Sequence, residues 1–303
     1  MNATSSFLPD RRIAVVGAGR LGTVLARALR EVGIAVQGPL RRGDAVPAVD
    51  IAILCVPDAA IRDAADAVRP HARLVGHVSG ATGLDDVDFS IHPLQTFTGS
   101  EEPSVFHGIG AAVDGRTPEA LDAARHLAEA LGAQPFAVDD AHRAGYHAAA
   151  SIASNLLLAV LDAAERVAGS AGIPSPQARA VLAPLVRQTL ENWAEHGAAA
   201  ALTGPIARGD EETVARQRAA VAEGSPELLA IIDALTAQTR ALAAHAGEAA
   251  PGRPSSRFAR SGTAVSGARS GTAVSGARPG AGVSGDPSGT DPGSAPPIEG
   301  IRA

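Results

Sequence analysis

Cysteine, methionine, tryptophan and tyrosine are almost absent from this 303-residue sequence, which contains one residue of each. A single cysteine excludes an internal disulfide framework and a zinc site built from cysteines, and no metal site is expected. Cys55 stands inside the apolar run 51–56. We therefore expect it to be a small core residue of a strand rather than a nucleophile.

Positive charge is also scarce. The 26 Lys and Arg residues are outnumbered by 32 Asp and Glu, and the net charge of −6 does not favour a nucleic-acid partner. Residues 1–10 lack a charged region followed by an apolar core, so no signal peptide is predicted. Asn155, Asp162 and Glu165 interrupt the best candidate for a membrane span. The expectation is a cytoplasmic protein without a membrane partner.

The most informative motif lies near the start of the chain. A short β-branched run at 13–16 is followed by Gly17-x-Gly19-x-x-Gly22 and then by a helical pattern. Gly17 would allow a tight turn, Gly19 would let the backbone approach a pyrophosphate, and Gly22 would let the helix pack on the strand. The helix N-terminus would offer free N–H groups to the phosphates. This strand–turn–helix context predicts dinucleotide binding.

The end of the second predicted strand indicates which dinucleotide is bound. A site that prefers NAD has an acidic residue here for the ribose 2′-hydroxyl, whereas this sequence has Arg41 and Arg42. Two guanidinium groups suit a 2′-phosphate, so we expect NADPH to be preferred over NADH. Asp44 is the alternative, since it could bind the ribose if the loop folds differently.

Further strands are expected to end at the same edge. The run 51–56 is typical of a central parallel strand, and Asp58 after it is expected either to cap the next helix or to lie near the ribose. Small residues in the loop 79–83 would let the cofactor lie close to the backbone. The predicted cofactor-binding residues are Gly17, Gly19, Arg20, Leu21, Gly22, Arg41, Arg42, Val56, Pro57 and Ser79.

A strand that begins at Phe89 ends near Pro93 with polar residues at its exit. Ligands gather at the carboxyl ends of strands in open α/β sheets. His92 could be a general acid, and Gln95 and Thr96 could donate hydrogen bonds to a substrate. Alternatively, His92 only bonds loop backbone.

From residue 139 to about residue 247 the strand pattern gives way to an Ala/Leu-rich helical pattern. One long helix is expected over 140–172. On it His147, Ser151 and Asn155 recur every fourth residue, which predicts a polar stripe that could contact a small substrate. Hydrogen bonds between helices would explain the same residues without chemistry.

The dipeptide Gly204-Pro205 breaks the helical pattern. Asp210 is expected to be the N-cap of the following helix. Arg208 lies between the break and the cap and could hold a substrate carboxylate, although a solvated loop arginine is the simpler interpretation.

Together these patterns predict an α/β fold with a doubly wound Rossmann sheet, followed by an all-α C-terminal domain. The expected segments are a disordered N-terminus (1–10), a dinucleotide-binding domain (11–138), a helical substrate and dimerisation domain (139–248), and a tail (249–303). The tail is rich in Gly, Ser, Pro and Arg with an imperfect repeat, and is expected to be disordered.

The sequence resembles the Rossmann-like proteins that carry a DUF2520 C-terminal domain. The resemblance covers residues 11 to about 246. It rests on the glycine fingerprint and on the runs Ile53–Asp58, His77–Gly80, Ser90–Phe97, Tyr146–Ala149, Asn155 and Leu202–Asp210. Such proteins are similar to the 6-phosphogluconate-dehydrogenase-like group, which includes ketopantoate reductases and pyrroline-5-carboxylate reductases. This resemblance implies NAD(P)H-dependent reduction and a homodimer built through the helical domain.

One departure from this group concerns the proton donor. Ketopantoate reductases carry a catalytic lysine four residues before an asparagine, and the matching positions here are Ser151 and Asn155. A serine cannot donate as an ammonium does, so His147 or His92 would have to protonate the developing alkoxide.

The resulting hypothesis is an NADPH-dependent reductase of a small 2-oxo acid, with ketopantoate as the leading substrate. His147 would donate the proton, Asn155 and Ser151 would orient the carbonyl, and Arg208 would hold the carboxylate. Two alternatives stay open: reduction of a cyclic imine, which would not need the lysine, and a non-catalytic NADP(H)-binding sensor or scaffold.

Overall fold

The computed structural model describes residues 11–248, with side chains to residue 245. The N-terminus and the tail that the sequence predicts to be disordered lie outside the described residues. Residues 11–248 belong to one compact unit.

A seven-stranded sheet forms the first part of the chain, in the order β2-β1-β3-β4-β5-β6-β7. Neighbouring strands are parallel except for β5 and β6, which are antiparallel. The strands are β1 (Arg12–Val16), β2 (Ala35–Leu40), β3 (Val49–Leu54), β4 (Ala72–His77), β5 (Phe89–Pro93), β6 (Gly110–Gly115) and β7 (Gln134–Ala137). The carboxyl ends of β1, β3, β4 and β5 therefore meet at one edge.

Helices cover both faces of this sheet. The helices α1 (Arg20–Glu31) and α3 (Pro118–Ala130) contribute to one buried cluster, and α2 (Ile61–Val68) contributes to another. Alternation along β3 explains the two layers, because Ile51 and Ile53 belong to the first cluster whereas Ala52 and Leu54 belong to the second. This is the predicted doubly wound arrangement.

After β7 the described chain is helical, as the sequence predicts. The helices are α4 (Arg143–Ser151), α5 (Leu157–Ser170), α6 (Ser175–His196), α7 (Ala198–Ala201), α8 (Glu211–Gly224) and α9 (Leu229–Glu248). Asp210 is the N-cap of α8, and its side chain accepts a hydrogen bond from the Thr213 N–H at 3.0 Å. The fold class is thus confirmed.

The helix expected over 140–172 differs in one respect. It begins at Arg143, and a π-helical turn, Ile152–Leu156, separates α4 from α5. Within this turn the Ser154 hydroxyl donates to the Ala150 carbonyl oxygen at 2.7 Å. Such back-bonding competes with the regular backbone ladder and accompanies distortions of helices.

The expectation that no stretch has the length and apolarity of a membrane span was wrong. Arg143–Ser170 is a 28-residue helical segment, long and apolar enough to cross a membrane by length and composition only. Its most apolar 18-residue window has a mean hydropathy of 1.4, and none of that window is buried inside the protein. A single helix of this kind is weak evidence for a membrane span.

Candidate functional site

The glycine fingerprint lies where β1 passes into α1. Gly17 has φ +113°, and a Cβ there would stand 2.2 Å from the Cys55 carbonyl oxygen. A Cβ at Gly22 would stand 2.0 Å from the Gly17 oxygen, whereas at Gly19 it would meet nothing within 4 Å. Gly17 and Gly22 are therefore required by the packing of the turn itself, and Gly19 leaves open space in front of the helix N-terminus. Arg20 and Leu21 occupy the first turn of α1, with the Arg20 side chain exposed.

A cavity of about 560 Å³ adjoins this turn. Its walls are the glycine turn, the loop Arg41–Asp44, Val56 after β3, and residues of α2 such as Ala64 and Ala67. This volume is within the range of small-molecule and cofactor sites. Strand ends from β1, β2 and β3 thus enclose a space at the predicted cofactor edge.

The loop after β2 contains both candidate groups for the cofactor's ribose: the Arg41 and Arg42 guanidinium groups and the Asp44 carboxylate. The Asp44 carboxylate accepts a hydrogen bond from the Arg41 backbone N–H at 2.7 Å, and the Asp44 N–H donates to the Arg41 carbonyl at 3.1 Å. Asp44 is therefore used to close its own loop. Arg41 and Arg42 are exposed at the cavity wall, and neither guanidinium forms an ion pair with another residue of the described chain.

Residues after β3 form the next part of the edge. The Cys55 N–H donates to the Val16 carbonyl at 2.7 Å, and burial raises the pKa of its thiol to about 12. Cys55 is thus a protonated thiol packed against the core, as expected, but it lies just after β3 rather than within the strand. The expectation that Asp58 caps a helix was wrong: Pro57 holds the N-cap position of a one-turn 3-10 helix, and no capping side-chain hydrogen bond forms.

The loop after β4 is held by its own side chains. The Ser79 hydroxyl oxygen accepts hydrogen bonds from the backbone N–H groups of Ala81 and Thr82 at 3.1 and 3.0 Å. His77 is fully buried; its Nδ1 accepts from the Ser79 N–H at 3.2 Å, and its Nε2 lies 3.0 Å from the Gly83 carbonyl oxygen. Burial lowers the pKa of His77, so a neutral imidazole shapes this loop.

Three aromatic residues meet beside this loop, and we call them the His92 cluster: His92, Tyr146 and His147. The Nδ1 atom of His92 lies 2.6 Å from the Tyr146 hydroxyl oxygen. The His92 ring meets the rings of Tyr146 and His147 edge-on, with centroids 5.6 and 6.3 Å away. A Cβ at Gly80 would collide with both histidines, at 2.7 Å from His92 Cε1 and 2.9 Å from His147 Cδ2. The cluster therefore joins β5, α4 and the loop after β4.

Electrostatics in the cluster keep His92 neutral. Burial is the main cause that lowers its pKa to about 4, and electrostatic interactions with His147 and with the Arg143 guanidinium lower it further. Burial also raises the pKa of the Tyr146 phenol to about 12. At neutral pH both groups are thus uncharged hydrogen-bonding partners.

Arg143, which sequence reasoning missed, fixes the start of α4 to the sheet. Its side chain is 4% exposed and forms ion pairs with Asp114 at 3.1 Å and Asp140 at 3.0 Å. A further hydrogen bond reaches the Ser90 hydroxyl at 3.3 Å. Because Arg143 precedes Tyr146 by less than one helical turn, it sets where the cluster's helix meets β5.

The structure does not join the remaining predicted residues to this cluster through described contacts. Ser151 is half-buried; Asn155 lies in the π-helical turn, exposed, with its Oδ1 3.0 Å from the Ser154 hydroxyl. Gln95 and Thr96 are exposed, and the Gln95 side chain accepts from the Thr96 N–H at 2.8 Å. Arg208 is an exposed loop residue of the helical region. Their roles stay predictions.

Within residues 11–248, no three His, Cys, Asp or Glu side chains come together as a potential metal site.

Comparison with known proteins supports the fold. Residues 109–239 match the family model described as "Domain of unknown function (DUF2520)", which confirms the predicted resemblance. No curated protein matches the chain.

Solved structures share the architecture at low identity. A Bacteroides fragilis protein named as a candidate NADP oxidoreductase superposes with a TM-score of 0.64 at 21% identity, covering 77% of this chain and 99% of that one. A Thermotoga maritima protein gives 0.63 at 22% identity, covering 77% and 98%. Plasmodium falciparum pyrroline carboxylate reductase, solved with NADP bound, gives 0.51 at 9% identity, covering 78% and 100%. At these identities the likeness is one of fold.

Proposed function

We propose that this protein is an NADPH-dependent reductase of a small 2-oxo acid. The observation that carries the proposal is the loop after β2, where the Asp44 carboxylate accepts a hydrogen bond from the Arg41 backbone N–H and the Arg41 and Arg42 side chains lie at the wall of the cavity. Two unpaired guanidinium groups fit the 2′-phosphate that distinguishes NADPH from NADH. The pyrophosphate would lie in front of Gly19, where a side chain would meet nothing within 4 Å.

The reacting end of the cofactor would lie further along the same edge. The carboxyl ends of β4 and β5 follow that of β3 in the sheet, and they carry Ser79 and His92. Reduced nicotinamide supplies a hydride, and the substrate's carbonyl carbon would receive it. The developing alkoxide then needs a proton donor, and the His92 cluster is the group of polar side chains placed there.

Ketopantoate is the substrate that we propose to test first, which would place the protein in pantothenate synthesis. Such an enzyme needs a supply of NADPH, and we propose that it acts in the cytoplasm.

Absorbance of the reduced nicotinamide tests this proposal, with purified protein, NADPH or NADH, and either ketopantoate or pyrroline-5-carboxylate. We expect oxidation of NADPH with ketopantoate, and slower oxidation of NADH. Turnover with pyrroline-5-carboxylate alone would support the cyclic-imine alternative. Tight NADPH binding without turnover of either substrate would support the sensor or scaffold alternative.

We also propose that a second copy of the chain covers the helical region. The structure buries only three apolar residues in that region's own cluster, Ala163, Val221 and Leu228. In contrast, large apolar side chains are exposed there on the π-helical turn, α5, α6 and α9. We call them the apolar helical surface: Ile152, Leu156, Leu158, Val181, Leu185, Leu190, Trp193 and Leu235.

Two features favour a second copy over a membrane as the occupant. The exposed apolar residues belong to more than one helix, and α5 and α6 are joined by the Arg179–Glu165 ion pair at 2.8 Å. Arg166 of α5 also pairs with Glu227 beyond α8. These charged contacts hold the segment within the helical region, while a surface several helices wide suits packing against an identical surface.

A further inference from the structure

The sequence contains no lysine, so no ammonium group of a lysine side chain can protonate a developing alkoxide. A neutral His92 lacks the imidazolium proton as well, because burial, together with the nearby Arg143 guanidinium, lowers its pKa to about 4. If the chain reduces a carbonyl as proposed above, the donors left in the His92 cluster are His147 and Tyr146, and the described hydrogen bond within the cluster is formed by the Tyr146 hydroxyl.

Tyr146 has the required position. It is the single tyrosine of the sequence and lies on α4 beside the carboxyl end of β5. Its ring is held edge-on between His92, with centroids 5.6 Å apart, and Phe136 of β7, with centroids 5.9 Å apart. Its hydroxyl oxygen lies 2.6 Å from His92 Nδ1. The ring and the hydroxyl are thus fixed by three separate elements of the fold.

Resting on the proposed function, we infer that Tyr146 is the proton donor of the reduction, and that His92 positions it by donating a hydrogen bond from Nδ1–H to the phenol oxygen. This direction of the hydrogen bond leaves the phenol O–H free to point at a substrate carbonyl. Arg143, buried nearly one helical turn earlier, lowers the pKa of the phenol through its charge and so opposes the effect of burial.

The step balances with the groups named. The carbonyl carbon receives a hydride, two electrons and one proton, from the reduced nicotinamide. The Tyr146 O–H bond breaks, its proton passes to the carbonyl oxygen, and the hydroxy acid forms. The phenolate left behind accepts the His92 Nδ1–H bond until it takes a proton back from solvent. Because an alkoxide is a much stronger base than a phenolate, this transfer is favourable even for a phenol of pKa about 12.

This inference also bears on substrate class. An iminium already carries its positive charge and needs no proton donor during hydride transfer. A positioned phenol is therefore of use in the reduction of a carbonyl, and it favours a 2-oxo acid over a cyclic imine.

Two measurements test the inference, and the first needs no substrate. NMR of ¹⁵N-histidine protein reports which ring nitrogen of His92 carries the proton, and the signal is assigned with His92→Asn. We expect the Nδ1–H tautomer. The Nε2–H tautomer would mean that the phenol donates its proton to His92, which would overturn the inference. A ¹³C label at Cζ of tyrosine gives one signal; we expect His92→Leu to shift it, and His92→Asn, which keeps a donor near the Nδ1 position, to restore most of that shift.

The second measurement is turnover. We expect Tyr146→Phe to lower kcat with the 2-oxo acid by about 100-fold or more, with NADPH affinity unchanged. His92→Leu should lower kcat more than it changes KM, and His92→Asn should recover part of the decrease. His71→Leu, at an exposed position before β4, is the matched control and should keep full activity. Full turnover by Tyr146→Phe would overturn the inference. Failure of every 2-oxo acid to react in the native protein would overturn the proposed function instead, and the tautomer of His92 distinguishes the two failures.

Discussion

The Asp44 carboxylate closes the loop after β2 by accepting a hydrogen bond from the Arg41 backbone N–H, 2.7 Å away. This contact engages one carboxylate oxygen of Asp44 in closing the loop, and Arg41 and Arg42 lie beside it at the cavity wall. Replacing both arginines with alanine should therefore weaken NADPH binding but leave NADH binding nearly unchanged.

The expected size of this change follows from the hydrogen bonds that each arginine would donate to the 2′-phosphate. A hydrogen bond to a charged group contributes about 1.5–3 kcal/mol, so each arginine corresponds to roughly a 10- to 100-fold change in Kd. Titration with both cofactors, followed by nicotinamide fluorescence, measures the change. Arg125→Ala, at an exposed position on α3, is the control. An equal decrease in affinity for NADPH and NADH would contradict a 2′-phosphate site at this loop.

The glycines of the turn should behave differently from one another. In Gly22→Ala the methyl group would stand 2.0 Å from the Gly17 oxygen, and thermal unfolding should show a large decrease in Tm. In Gly19→Ala the added methyl group would meet nothing within 4 Å, so the Tm of this variant should stay close to that of the native protein. Its methyl group would nevertheless occupy the space in front of the helix N-terminus, and NADPH affinity should decrease by about 10-fold or more. Native affinity in Gly19→Ala would place the pyrophosphate elsewhere.

The parts of the fold that the sequence predicts correctly depend on local chain geometry. The fingerprint Gly17–Gly22 is readable because strand, turn and helix follow one another without interruption along the chain. The π-helical turn cannot be predicted from the sequence. Nothing in the sequence distinguishes Ser154 from other helical serines, and only the structure shows that its hydroxyl donates a hydrogen bond to the Ala150 carbonyl oxygen.

The site residues that sequence reasoning missed depend on contacts between distant segments. Tyr146 and His92 are 54 positions apart, and Arg143 and Asp114 are 29 positions apart. The run that contains Tyr146 belongs to the predicted resemblance. However, the sequence alone favours a histidine as the replacement for the lysine, because a histidine can carry a positive charge. Only the meeting of α4 with β5 gives the phenol a partner.

Removing the Arg143 ion pairs should lower the free energy of unfolding strongly, because they join α4 to the sheet. Its side chain is 4% exposed, and Arg143→Met would leave Asp114 and Asp140 without their cation. Breaking a buried ion pair costs about 3–5 kcal/mol; because Asp140 is half exposed, we expect about 2–4 kcal/mol in the free energy of unfolding in urea. Arg218→Met removes an exposed pair with Asp233, and because solvent screens such a pair this variant should cost much less than Arg143→Met. Equal costs for the two variants would contradict the anchoring role of Arg143.

His92 should make the stability depend on pH in the acid range. Its pKa falls from an ordinary 6.5 to about 4 in the folded protein. Between these values the unfolded chain binds a proton that the folded chain does not, so stability rises with pH up to about 6.5 and decreases as pH falls toward 4.

The contribution of this one group is at most about 3 kcal/mol, and less because the ring is partly exposed. His92→Asn does not titrate here, so its unfolding free energy should decrease less between pH 7 and pH 4 than that of the native protein. The carboxylates and His77 titrate in both proteins and cancel in the difference. Identical pH profiles would show that His92 is not protected from protonation.

The apolar helical surface should determine the oligomeric state. Leu158 of α5 is 66% exposed and Leu185 of α6 is 63% exposed. If a second copy covers them, the double variant Leu158→Glu, Leu185→Glu would bury unpaired carboxylates at the interface, and the dimer dissociation constant should increase by roughly 100-fold or more. Light scattering during size-exclusion chromatography should then show a dimer for the native protein and a monomer for the variant. Val32→Glu changes a side chain that is 45% exposed at the end of α1, outside this surface, and should remain dimeric. A native protein that is monomeric at every concentration, or that binds lipid vesicles through these residues, would assign the surface to another occupant.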